Sequence, residues 1–253
     1  MEYIHIFGIC TTQGDLKTNM KDMDSEAAVH FYDGSFNGFL TVLYDIEQRG
    51  LAVEILKKKE KAEDALFPDP SFIETRLKHA RILWEQLRID NYSALKTLYF
   101  AFMSKERNLE KPLLDFYYSW RKNRDAKRNI MYDNRFHEIF NLAADVEKEK
   151  IQTERKLTGH QDPETPTIRY IKPRHNILPL ISKRMRTRFR NSEWYIFDMR
   201  RKYGLHHCNG SIAFVPFRPE FLKEENINSV PSGTSKFPFL LHNEESKASA
   251  AVA

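Results

Sequence analysis

Phe36, Phe39, Leu40, Leu43 and Tyr44 recur at i, i+3, i+4, i+7 and i+8, a spacing that sets all five on one stripe of an α-helix. The period returns downstream. Ser71 and Glu74 form a capping-box pattern ahead of Ile73, Leu77, Ala80, Trp84 and Leu87, which predicts a second helix starting near residue 72. Leu95, Leu98, Tyr99, Phe102 and Met103 mark a third, and Leu113, Phe116, Tyr117 and Trp120 mark a fourth that Pro112 can begin. A fifth runs from about Asn134 to Lys156, with Phe136, Ile139, Phe140 and Ala143 on one face and a charged second half expected to project into solvent. Each apolar stripe must be buried against another element, so a helical core is the first commitment of this chain.

Strand signals flank those helices. His30, Phe31 and Tyr32 read as a short strand that Asp33 and Gly34 turn into the first helix, with Ser35 as its N-cap. After a charged connection at 57–70, the five helices and a proline-containing break at 159–166, Thr167 to Ile171 reads as a second strand. Asn176 is expected to cap a short helix that tolerates Pro179 in its first turn, with Ile177, Leu178, Ile181, Met185 and Phe189 inward. Trp194 to Phe197 is a further strand. Asn209-Gly210 predicts a type I′ hairpin joining Tyr203–Cys208 to Ser211–Val215. The expectation is an α+β fold: a helical middle of about five helices with a small mixed or antiparallel sheet formed by the N-terminal strand and the C-terminal strands. Residues 1–29 are read as an N-terminal extension and 30–217 as the α+β unit, helical over about 35–156 and basic over about 167–217. The polar stretch 218–253 is read as a mostly disordered tail.

Composition excludes several classes of function. With 253 residues, 41% of them hydrophobic, the chain is long enough for a sizeable core. No apolar run reaches the roughly 18 to 20 residues of a membrane helix. The first ten residues lack the features of a signal peptide, so a cytoplasmic location is expected. Cys10 and Cys208 are the two cysteines, which excludes a disulfide framework, a four-cysteine zinc site and a three-cysteine cluster built by this chain alone. Gly34 and Gly38 lack the spacing of a phosphate or dinucleotide loop, so no nucleotide cofactor is expected.

Charge is distributed unevenly. The formal net charge is +5, yet residues 169–202 hold eleven basic residues against Glu193 and Asp198. Lys183, Arg184, Arg186, Arg188 and Arg190 exceed any local supply of carboxylates, so an exposed cationic face is expected. With Arg169, Lys172, Arg174, Arg200 and Arg201 they form the candidate contact set for nucleic-acid phosphates, without base specificity. Arg121, Lys122, Arg124, Lys127 and Arg128 are a second cluster that could extend the track. The plain alternative is a solvated face, or pairing with the acidic residues between Asp145 and Glu154.

Candidates for chemistry are few. Asp33 and Asp198 make a carboxylate pair only if their strands are neighbours; turn capping and pairing with Arg200 or Arg201 are the alternatives. His175 precedes a helix N-terminus in a basic segment, which suits a bound phosphate or an ordinary cap or core hydrogen bond. On the strand carrying His206, His207 and Cys208, only His206 and Cys208 share a face, and two ligands do not make a metal site. No metal is therefore expected.

Two blocks of sequence carry a resemblance. Tyr32-Asp33-Gly34-Ser35-Phe36-Asn37-Gly38 followed by an amphipathic helix is the first. The second is Lys172-Pro173-Arg174-His175-Asn176-Ile177-Leu178-Pro179-Leu180, followed by Arg188-Phe189, Trp194-Tyr195-Ile196-Phe197-Asp198 and Arg200-Arg201. In this order the chain resembles, over roughly residues 30–216, a bacterial family of DNA-metabolism proteins of unestablished activity. Members are encoded beside a radical-SAM DNA-repair protein or fused to uracil-DNA-glycosylase-like domains. The segment Gly159-His160-Gln161-Asp162-Pro163-Glu164 is similar to the water-activating loop of such glycosylases, but it follows a charged helix and reads as a helix-terminating loop. The resemblance implies an accessory role in DNA repair, with DNA or another nucleic acid and a radical-SAM or glycosylase-like protein as partners. Two rivals stand beside it. One is an enzyme acting on a base or phosphodiester through Asp33, His175 or Asp198; the other is an interaction module docking an acidic partner.

Overall fold

The protein is described from a computed structural model, over residues 29–53, 55–58, 71–122, 130–159 and 167–218. The N-terminal extension before Val29, most of the 57–70 connection, Arg124, Lys127, Arg128, the glycosylase-like loop from His160 and the expected tail beyond Arg218 lie outside the described residues.

Strand β1 (Val29–Tyr32) runs into the Asp33-Gly34-Ser35 turn. Gly34 takes a positive φ of 75°, and Asp33 Oδ1 accepts from the Ser35 amide at 2.8 Å. Ser35 then caps α1 (Phe36–Arg49), its hydroxyl accepting from the Gly38 amide at 2.9 Å. The first sequence block is thus a strand-to-helix corner. A Cβ at Gly38 would overlap Asp33 Oδ1 and stand 2.9 Å from Thr75 Oγ1, so the close approach of these loops requires glycine there.

Both edges of β1 are occupied by parallel partners, β2 (Ile55–Lys58) and β3 (Ser71–Phe72). This corrects two expectations. Ser71 does not open a helix: it pairs with His30, and the Ile73 amide donates to Phe31 O at 2.8 Å, because an open strand edge claims backbone partners. Helix α2 (Leu77–Asp90) starts several residues later, after Thr41 Oγ1 has accepted the Arg76 amide. Nor do the two ends of the chain share a sheet, since β1 has no edge left for a C-terminal strand.

Helices α3 (Tyr92–Phe102), α4 (Glu110–Lys122) and α5 (His137–Thr158) complete the first core with α1 and α2. Asn91 caps α3 through Ala94 N, and short 3-10 turns lead into α5. Phe36, Trp84, Tyr99 and Phe102 pack ring against ring at its centre, as the spacing predicted. The α+β class expected from sequence is the class observed.

The second sheet has the order β4 (Thr167–Ile171), β5 (Trp194–Asp198), β6 (Tyr203–Cys208), β7 (Ser211–Pro216), with β4 parallel to β5 and the rest antiparallel. Asn209 and Gly210 both have positive φ, 49° and 76°, as a type I′ turn demands. Helix α6 (Leu178–Arg188) covers one face, burying Leu178, Ile181 and Met185 against Trp194, Ile196 and Leu205. Pro179 sits in its first turn as expected, but Asn176 does not cap it. Asn176 Oδ1 instead accepts from the Tyr203 hydroxyl, which fixes α6 to β6.

The second half of α5 differs from expectation. Val146, Glu154 and Leu157 are buried, because the helix is wedged between α3 and the α6 sheet layer, and Leu157 enters the second core. No helix among the described residues is long and apolar enough to cross a membrane.

Candidate nucleic-acid interface

The basic segment divides into cations used inside the fold and cations left outside it. The loop between β4 and α6 is held by Glu149 on α5, whose two carboxylate oxygens accept the Arg174 and His175 amides at 2.7 Å each. The Arg174 guanidinium pairs with Asp145 at 2.9 Å and lies 2.9–3.0 Å from His175 Nε2. His175 Nδ1 accepts the Lys105 amide at 3.2 Å. The ring is 1% exposed, and both its nitrogens face N–H donors. Burial, and then the Arg174 guanidinium, hold its pKa below the usual histidine value.

Asp198 ends β5 and is fully buried. Its Oδ1 accepts the Arg200 and Arg201 amides at 2.8 and 3.2 Å, and its Oδ2 pairs with Arg201 at 2.8 Å. Arg201 also donates to the Arg174 carbonyl at 2.8 Å, and Arg200 to that of Lys172 at 3.2 Å. His175 and Asp198 therefore belong to one network, joined through Arg174 and Arg201. Asp33 is outside it, tied to Ser35 and to Thr75 at 2.7 Å. The three candidate catalytic residues do not meet in one described site; Arg201 is partly buried on Asp198, while Arg174 and Arg200 bond to Asp145 and to the Lys172 carbonyl and stay exposed. The second cluster is likewise partly absorbed: Arg121 pairs with Glu47 on α1 and with Asp90 on α2.

The exposed side of α6 is different. Lys183, Arg184, Thr187 and Arg188 follow one another on its outer face, and Arg190 extends it. Arg184 reaches Glu154 of α5 only at 3.8 Å, and that carboxylate also pairs with Lys150 at 2.9 Å. Arg188 lies over the Phe189 ring. Among the described residues Lys183, Arg188 and Arg190 form no ion pair, and Arg186 is half-buried. Arg155 and Lys156, exposed in the last turn of α5, add to the same charge excess. On its other flank α5 forms a groove with β4, about 550 Å³, lined by Gln152, Thr153, Lys156, Arg169, Tyr170 and Lys172 among others.

Pairing with the acidic residues between Asp145 and Glu154, the plain alternative for the basic segment, occurs in part, and three acidic groups organise this region. Glu149, Glu154 and Glu193 act on residues between 13 and 30 positions away. The run of carboxylates on α5 was the available signal; its targets were not.

Fold and site together define an α+β protein with a cationic helix laid on a four-stranded mixed sheet. The chain belongs to the DUF4130 family, a domain of unknown function, whose pattern matches residues 108–250. That stretch includes the second sequence block and begins after the Tyr32–Gly38 block. No curated protein and no solved structure matches the chain.

Proposed function

We propose that this protein binds the phosphate backbone of a nucleic acid through the outer face of α6 and the last turn of α5, as an accessory to a separate DNA-repair enzyme of radical-SAM or glycosylase-like type. The observation that carries the reading is the exposure of Lys183, Arg188 and Arg190 without carboxylate partners among the described residues, whereas Arg174 and Arg201 have theirs in Asp145 and Asp198. A linear array of unpaired cations gains free energy by releasing condensed counterions from a polyanion. Lys156 and Lys172, which line the α5–β4 groove, add further cations on the other flank of α5. Side chains of this kind contact phosphates, so discrimination between base sequences is not expected. The enzyme reading finds less support, since His175 is buried with Nδ1 taken by the Lys105 amide, and Asp198 is buried with both oxygens taken by the Arg200 and Arg201 amides and the Arg201 guanidinium.

Fluorescence anisotropy with labelled single- and double-stranded oligonucleotides tests this. Affinity is expected to fall steeply with salt, each phosphate contact adding about 0.9 to the log–log slope on duplex and about 0.7 on single strands. Replacing Lys183, Arg188 and Arg190 by Ala should weaken binding and make the slope shallower by about 2 to 3. Full binding by the triple variant removes the proposed face. Absence of any binding by the wild type, with co-purification of a neighbouring protein, would transfer the role to acidic-partner docking.

A further inference from the structure

Three ligand-type side chains meet on the face of the second sheet turned away from α6. In the antiparallel β5–β6 pair Trp194 is opposite His207 and Tyr195 opposite His206. One step further, the same register sets Glu193 opposite Cys208. Strand alternation then puts Glu193, His206 and Cys208 on the side of Tyr195 and Phe197, while Trp194, Ile196 and Leu205 pack under α6. A carboxylate oxygen, an imidazole nitrogen and the thiol sulfur of these residues lie within 4.8 Å of one another.

Two of the three are already oriented. The His206 ring lies flat on Tyr195, centroids 4.1 Å apart and planes at 2°, with Nε2 2.7 Å from Glu193 Oε1. The Tyr195 hydroxyl donates to the same carboxylate oxygen at 3.2 Å. Stacking on one ligand and a hydrogen bond to another are the kind of outer contacts that aim groups at a metal.

We propose that Glu193, His206 and Cys208 form a binding site for a zinc-like divalent cation, with the fourth coordination position open to solvent. Oxygen, nitrogen and sulfur donors together fit a borderline-soft tetrahedral ion, whereas magnesium and calcium take oxygen ligands. Bonds of about 2.0 to 2.3 Å set tetrahedral ligand atoms about 3.3 to 3.7 Å apart, so an ion would replace the 2.7 Å His206–Glu193 hydrogen bond, with side-chain rotation opening that pair on a backbone held by the hairpin. His206 is 19% exposed and Glu193 36%, which gives an ion a path in. Binding converts the Cys208 thiol to thiolate, its proton passing to solvent, and takes neutral imidazole. The site lies on the opposite side of the sheet from α6 and does not depend on the nucleic-acid reading.

The test is titration of the full, reduced, metal-free chain with Co²⁺, followed by displacement with Zn²⁺. One cobalt per chain is expected, with a thiolate-to-cobalt charge-transfer band and the intense visible bands of tetrahedral coordination. Cys208→Ser should abolish the charge-transfer band although Cys10 remains. Glu193→Gln and His206→Gln should each weaken affinity by at least about 10-fold, and Tyr195→Phe by about 10-fold through lost orientation. Circular dichroism establishes that each variant is folded; if Cys208→Ser is not, the Gln variants decide. No charge-transfer band in the wild type, a band that survives Cys208→Ser, or unchanged affinity in both Gln variants overturns the site.

Discussion

His175 shows how a residue that invites a catalytic reading is instead held as a structural group. Its ring accepts a backbone amide on one side, meets a guanidinium on the other and is almost sealed from water. All three oppose a second ring proton. The folded state therefore binds fewer protons than the unfolded state as pH falls below about 6.5, where an unfolded histidine titrates. The resulting stability is complete above about pH 6.5 and is lost as pH drops toward the depressed folded-state value. Chemical denaturation from pH 8 to pH 5 should show this decline, and His175→Gln should flatten it. Glu149 is the companion case. Glu149→Ala leaves the Arg174 and His175 amides without their acceptor and should cost about 1 to 3 kcal/mol in denaturant-derived stability. His175 was visible in the sequence as a residue near a helix start. Glu149 was visible only as one of the acidic residues between Asp145 and Glu154; its two backbone targets were not, since only folding carries α5 beside that loop.

Among the elements, local rules held wherever the partner was local. The Asn209-Gly210 hairpin, the Ser35 cap and the Pro179-containing first turn all lie as their residues predict, because each depends on backbone preferences within a few positions. The Ser71–Glu74 capping box failed because a distant strand edge offered those residues ladder hydrogen bonds. Register also imposes demands that periodicity does not reveal. Gly204 pairs with Phe197, and a Cβ there would overlap the Phe197 ring and stand 2.8 Å from the Ile196 carbonyl. Gly204→Ala should thus destabilise the sheet by about 1 to 3 kcal/mol, seen as a lower urea midpoint with an unchanged slope. Wild-type stability in that variant would mean the strands can separate at no cost.

For the whole molecule, the segment from Ile171 to Leu180 couples the two cores. Ile171 packs against both, Ile177 and Leu180 join the helical core, and Leu178 enters the sheet core. Ile177→Ala opens a cavity at a fully buried position, with an expected cost of about 2 to 5 kcal/mol. Trp84 and Trp120 report on the helical core and Trp194 on the sheet core. In single-tryptophan backgrounds both should shift to the same lower denaturant midpoint. Separate midpoints would show that the segment does not transmit stability between the cores.

Sequence alone determined the helical stripes, the tight hairpin, the α+β class and the existence of a charge excess near the C-terminal strands. These follow from composition and from spacings along the chain, which any observer of the linear order can count. Tertiary structure decided which cations are spent and which remain, that β1 keeps its own parallel sheet, and that Glu193 completes a trio with His206 and Cys208. Pairing energy depends on distance in space, and the partners that neutralise Arg174 or align His206 come from segments whose approach no local pattern encodes.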